Sequence, residues 1–298
     1  LAENGSGKFC DISVKVLEEL KKLSVTHLWY TGIIRHATDG DATAKGKAGS
    51  PYAIKDYYDV NPYMAAHPEN RMEEFEELVR RTHSQGLKVL IDFIPNHLSR
   101  EYDSAVKPFD DRNFYPGRIH DGDWTDTVKL NYGSHDTWET MRDILMFWAA
   151  KGVDGFRCDM VELVTVDFWE WCIPQIKKIY PDIIFIAEIY QPHNYHPYIR
   201  RGGFDYLYDK SGFYDTLRAI SAGHTPASSL TSVWQGLGDF QPNMLNFLEN
   251  HDEQRVASDF FIGDPRRSMA MLYVSLLFNT APFMIYFGQE LGERGMET

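Results

Sequence analysis

This sequence predicts an α/β chain folded as a (β/α)8 TIM barrel, and three observations predict it. Apolar, β-branched or aromatic runs of strand length alternate with amphipathic helical patterns along most of the chain. Such alternation implies a parallel sheet with helices outside it. Seven strand signals favour a closed barrel over an open doubly wound sheet, and 298 residues of 43% hydrophobic composition suffice for one large core.

The chain opens on a helical pattern, DISVKVLEELKKL (11–23), followed by the strand pattern VTHLWYTGI (25–33). RMEEFEELVRRTHSQG (71–86) sets Met72, Phe75, Leu78 and Val79 on one helical face, with Gly86 where a helix C-terminus is expected. The strand LKVLIDFIPN (87–96) comes next. Residues 97–132 then lose periodicity and become rich in Asp, Pro, Gly and aromatic side chains. That stretch reads as an insertion on the rim after a strand. SHDTWETMRDILMFWAAKG (134–152) places Ser134 as a helix N-cap and closes on Gly152. The remaining strand patterns are VDGFRCDM (153–160), DIIFIAEIY (182–190), FDYLYD (204–209), MLNFLEN (244–250) and PFMIYFGQE (282–290). Residues 1–96 and 133–298 are thus expected to form the barrel and 97–132 a short excursion from it. Opening on a helix and stopping after a strand, the chain is expected to lack a first strand and a last helix.

The formal net charge of −13 argues against a nucleic-acid partner, which needs clustered Lys and Arg, and against an anionic membrane surface. No stretch approaches the ~18 continuous apolar residues of a membrane span, so no membrane insertion is expected. Cys10, Cys158 and Cys172 have neither disulfide-framework nor metal-ligand spacing and read as reduced thiols. The opening LAENGSGK is no leader; it suits a cytoplasmic chain, and equally an exported one already processed.

In such barrels the reactive groups stand at the C-terminal ends of the strands. Four strand ends carry them: Asp92, Asn96 and His97; Arg157 and Asp159; Glu188 and Tyr190; His251 and Asp252. Within GFRCDM, alternation puts Arg157 and Asp159 on one face and Phe156, Cys158 and Met160 on the other. The charged pair is therefore expected to face the barrel mouth. Glu188 follows one strand–helix unit later. Two carboxylates on neighbouring strand ends suit glycoside hydrolysis, in which one stays ionised beside a guanidinium and the other holds a proton. The competing reading is a Mg²⁺ site of the enolase kind, with Asp205 or Asp209 on the next strand; Arg157 beside Asp159 would oppose a dication. Taken singly, each residue has a plainer explanation: Arg157–Asp159 as a structural ion pair, His97 as a rim residue, Glu162, Glu249 and Glu253 as structural or rim acids.

Together, DFIPNH, GFRCDMVE, FIAEIY and FLENHDEQR resemble, in order, the four conserved regions of the α-amylase superfamily (glycoside hydrolase family 13). SPYAIKDYYDVNP (50–62) resembles its substrate-stacking segment and PFMIYFGQELGERG its eighth strand. The resemblance runs over about residues 9–298. It implies a retaining glycoside hydrolase acting on α-glucosidic bonds of an α-1,4-glucan or maltooligosaccharide, with 97–132 as a short domain B. Asp159 would be the nucleophile, Glu188 the general acid/base and Asp252 the third carboxylate. Arg157 would orient Asp159, His97 and His251 would hydrogen-bond the sugar, and Tyr52 would stack on it. The chemistry would need no cofactor; Asn96 matches a position that often binds a structural Ca²⁺. An α-glucan transglycosylase or branching enzyme would use the same residues, while a non-catalytic sugar-binding barrel typically loses a carboxylate. Trp124, Tyr190 and Trp234 are stacking candidates. The sequence departs from the family at Glu162 and Leu163, where many α-amylases carry Lys-His. It departs again at Met160, where Thr or Val is typical, and at VKLN (128–131), where PDLN is common.

Overall fold

The computed structural model describes residues 7–38, 40–42, 44, 46 and 48–295. The chain forms two compact units, residues 1–186 and 187–298.

The first unit starts with helix α1 (Val14–Lys22), whose N-cap Ser13 accepts the Val16 N–H. Strands β1 (His27–Tyr30), β2 (Ile34–His36) and β3 (Ile54–Val60) lead to helix α2 (Arg71–Ser84). Then come β4 (Lys88–Phe93), β5 (His97–Ser99), β6 (Thr127–Lys129), α3 (His135–Ala150), β7 (Gly155–Cys158), α4 (Val166–Ile179) and β8 (Ile184–Ala187). β1 pairs parallel with β4, and β4 with β7, in a register that sets Asp92 beside Arg157. Ile184 enters β8 by donating to the Asp154 carbonyl at the foot of β7. The helices pack by their apolar faces: Phe75, Leu78 and Val79 of α2, Ile144, Leu145 and Trp148 of α3, and Phe168, Trp169 and Cys172 of α4 are buried. Met72, expected on the same face of α2, is half-buried at its first turn. Phe93 and Phe156 meet between the strands, and Trp169 closes on Phe93 from the helix layer.

The second unit contains α5 (Tyr195–Arg200), β9 (Tyr206–Tyr208), α6 (Asp215–Ser221), α7 (Ser229–Leu237), β10 (Met244–Phe247), α8 (Met269–Leu277) and β11 (Phe283–Met284). β10 pairs parallel with both β9 and β11. Phe213, Leu217, Leu248 and Val256 form its buried cluster.

Each of the seven expected strands is present, but shortened. The run 282–290 contracts to Phe283–Met284, since its partner β10 ends at Phe247 opposite Met284, and the chain then turns at Gly288, which has φ +86°. Gly86 and Gly152 each follow a helix with positive φ, as the sequence predicts. Ser134 does occupy the N-cap of α3 in extended conformation, but its side chain makes no capping bond. Its carbonyl accepts from Thr137 instead, and Asn113 of the excursion donates to Asp136 and Thr137. Two antiparallel ladders escaped the strand pattern. β2 with β3 is interrupted by irregular register, and β5 with β6 has three residues a side inside the stretch read as aperiodic. The three cysteines are free thiols, Cys158 and Cys172 buried and Cys10 exposed. Among the described residues no helix is long and apolar enough to cross a membrane.

Candidate active site

In the first unit the site grows from the ends of β4 and β7. β7 stops at Cys158, and Asp159 is held in line by its N–H donating to the Phe93 carbonyl. Arg157 is 1% exposed and Asp159 7%. The guanidinium Nη1 lies 2.8 Å from Asp159 Oδ1 and 3.6 Å from Asp92 Oδ1. Asp92 also accepts the Gly32 N–H. Trp29 and Tyr52 lie close to the same guanidinium, with its carbon 5.4 and 5.5 Å from their ring centroids. A buried cation between two carboxylates and beside two aromatic faces is favourable only while those carboxylates are ionised. That is the condition a nucleophilic carboxylate needs.

The alternation argument holds through Cys158 and fails one residue later. Phe156 and Cys158 are fully buried on the helix side. Met160 does not join them: it has left the strand in a left-handed conformation, φ 42° and ψ 47°, and is half-buried. Period-two reasoning does not survive the end of the ladder.

The loop after β4 is pinned from two sides. The Tyr57 hydroxyl sits 2.6 Å from the Ile94 carbonyl and 2.9 Å from that of His97, and the Tyr132 hydroxyl donates to the Pro95 carbonyl. His97 is 4% exposed, and burial pushes its pKa down to about 4, against the opposing pull of Asp121 and Asp126. The ring is therefore neutral. The Asn96 amide donates to its Nδ1, so the proton sits on Nε2, and a further hydrogen bond joins the ring to the Tyr52 backbone. Trp124 packs on His97 with centroids 5.1 Å apart. The structure thus brings together Arg157, Asp159, Tyr52, His97 and Asn96 of the sequence-derived set. It adds Trp29, which no strand-end rule singles out, and gives Asp92 a partner.

In the second unit Glu188 follows β8 directly and is 3% exposed. The Tyr190 hydroxyl donates to its Oε1 at 2.7 Å, and Ile189 between them is fully buried. His251 Nε2 lies 3.2 Å from Asp252 Oδ2. The Asp252 side chain is 45% exposed, unlike the buried Asp159 and Glu188. Glu249 is buried and accepts the Val256 N–H, and desolvation raises its pKa. Lys210 lies 2.8 Å from Asp215 and 3.2 Å from Glu253, with Nζ 6.0 Å from the Tyr190 ring centroid.

Asn96 can be tested as a Ca²⁺ ligand by its donors. Its amide nitrogen donates to Asp121 Oδ2 at 2.8 Å, and Lys129 Nζ lies 2.7 Å from Asp121 Oδ1. Burial works to raise the pKa of Asp121, yet these two donors hold it below the ordinary value. Both oxygens of the carboxylate are engaged, and an ammonium already balances its charge. Among the described residues no three His, Cys, Asp or Glu side chains converge as metal ligands. This donor set does not fit Ca²⁺, which takes six to eight oxygens.

Comparison with known proteins places these residues in a family. The family model for the α-amylase catalytic domain matches residues 3–126 and 122–298. An α-amylase of Dictyoglomus thermophilum is 25% identical over 94% of this chain and 59% of its own length. An α-1,4-glucan:maltose-1-phosphate maltosyltransferase of Cereibacter sphaeroides is 30% identical over 62% of this chain and 33% of its own. The chain therefore spans less than two thirds of these relatives. The crystal structure of an α-amylase from Lactobacillus plantarum superposes with TM-score 0.83 at 26% identity, covering 98% of this chain and 69% of that one. The fold is accordingly the α/β barrel that the strand–helix alternation predicts. With matches over nearly its whole length, the chain belongs to the α-amylase catalytic domain family.

Proposed function

We propose that the chain is the catalytic part of a retaining glycoside hydrolase that cleaves α-glucosidic bonds of α-1,4-glucans or maltooligosaccharides. One observation carries the reading: the buried Arg157 guanidinium 2.8 Å from the Asp159 carboxylate. In this reading Glu188 protonates the glycosidic oxygen while Asp159 attacks the anomeric carbon, giving a covalent glycosyl-enzyme. Glu188 then takes a proton from water, which releases the sugar with its configuration retained. Asp252, exposed enough to meet a ligand, binds sugar hydroxyls. Tyr52 offers a ring face beside Arg157, and the neutral His97 holds the Tyr52 backbone. His251 completes the sugar contacts.

The maltosyltransferase among the relatives supports a second reading, in which a sugar hydroxyl or phosphate rather than water resolves the intermediate. Incubation with starch, maltooligosaccharides, pullulan and sucrose, followed by product identification, separates the two. Proton NMR of the first product should show the α-anomer; the β-anomer would rule out retention. Asp159→Asn should lower kcat by about 10³-fold or more. Full activity in that variant would end the proposal.

A further inference from the structure

We infer that Tyr190 is a positioning residue for Glu188: its hydroxyl holds the Glu188 carboxyl in place and sets the pH at which that group gives up its proton. The inference rests on the reading of Glu188 as general acid/base. It goes further in assigning to Tyr190 a role other than the sugar stacking expected from its aromatic ring.

The geometry begins with sequence spacing. Glu188 and Tyr190 are two apart just beyond β8, with Ile189 between them fully buried, and the hydrogen bond itself shows that the carboxyl and the phenol meet. The hydroxyl meets Oε1 at 2.7 Å, the length of a strong O–H···O bond. Glu188 is 3% exposed, so bulk water does little to replace that bond. A phenol donates to a carboxylate better than to a carboxylic acid, so the bond favours the ionised form. Lys210, paired with Asp215 and Glu253, packs beside the same ring with Nζ 6.0 Å from its centroid. A general acid that must later act as a base needs a pKa near the working pH; an apolar burial alone would leave it too high. The Tyr190 bond offsets burial and holds Oε1 in a fixed place.

The test compares pH profiles of kcat/KM for the wild type, Tyr190→Phe and a protein carrying 3-fluorotyrosine at position 190. Each is assayed on a maltooligosaccharide and on an aryl α-maltoside with a dinitrophenol-like leaving group. Removing the hydroxyl should move the alkaline limb upward by about half to one pH unit. The more acidic fluorophenol should move it down. At the optimum, Tyr190→Phe should lose about 5- to 20-fold in kcat on the maltooligosaccharide and little on the aryl maltoside, which needs no protonation. Alkaline limbs that coincide in all three proteins, with or without a loss of rate, would overturn the inference, since loosened packing cannot produce opposite shifts. Glu188→Gln is the control for the underlying reading. If it is inactive on maltooligosaccharide but still cleaves the aryl maltoside while the limbs coincide, only the Tyr190 role falls. If it keeps wild-type turnover on both, the general-acid reading falls with it.

Discussion

Arg157 and His97 show how burial assigns states to individual side chains. Arg157 is nearly inaccessible and faces Asp92 and Asp159, so its desolvation is offset only while those carboxylates stay charged. His97 goes the other way: burial keeps it neutral, with its pKa lowered from 6.5 to about 4. The unfolded chain therefore takes up a proton first as pH falls. The His97 contribution to stability is complete above about pH 6.5 and is lost on acidification toward pH 4, at a cost on the order of 3 kcal/mol. Urea unfolding of wild type and His97→Gln at pH 7 and pH 4.5 checks this. The stability gap between them should narrow at the lower pH; a constant gap would show that His97 does not titrate in this way. The sequence marks both residues by their strand-end positions. It carries no sign of the Tyr52 backbone as a partner of His97, nor of Trp29 beside Arg157, because both come from segments distant along the chain.

At the scale of elements, β7 shows why a glycine opens GFRCDM. A Cβ on Gly155 would come within 2.6 Å of Leu90 Cδ2 and Ile184 Cγ1 and 2.7 Å of the Ile184 carbonyl oxygen. Leu90 is its ladder partner on β4, and Ile184 begins β8, so the absent side chain lets three successive strands approach. Gly155→Ala should destabilise the fold by about 1–3 kcal/mol and lower Tm by a few degrees. An unchanged thermal unfolding curve would mean the strands can yield at this point. Strands whose apolar runs are buried by helices were legible from the sequence. The β5–β6 ladder was not: three residues are too few for a period to show, and its pairing joins positions about thirty residues apart. Met160 marks the same boundary, since side-chain direction follows the pleat only while the ladder lasts.

For the molecule as a whole, the departure VKLN in place of PDLN acquires a physical meaning. Its Lys129 occupies Asp121 within the excursion 97–132, and the Asn96 amide, donating to the same carboxylate, ties the excursion to the end of β4. Chelation should leave Tm within about 1 °C, since Lys129 already supplies the positive charge beside Asp121. Lys129→Met should cost about 1–3 kcal/mol by leaving a partly buried carboxylate short of its cation. A Tm drop of several degrees with EDTA, reversed by Ca²⁺, would contradict this. By itself the sequence determined the alternation of strands and helices, hence the α/β class. It also determined which strand ends carry carboxylates, because burial imposes a local period and reactive groups interrupt it. Only the tertiary structure decided which partners those groups meet: Asp92 for Arg157, the Tyr52 backbone for His97, Asn96 for Asp121. Those contacts depend on ladder register and loop closure, which no window of sequence contains.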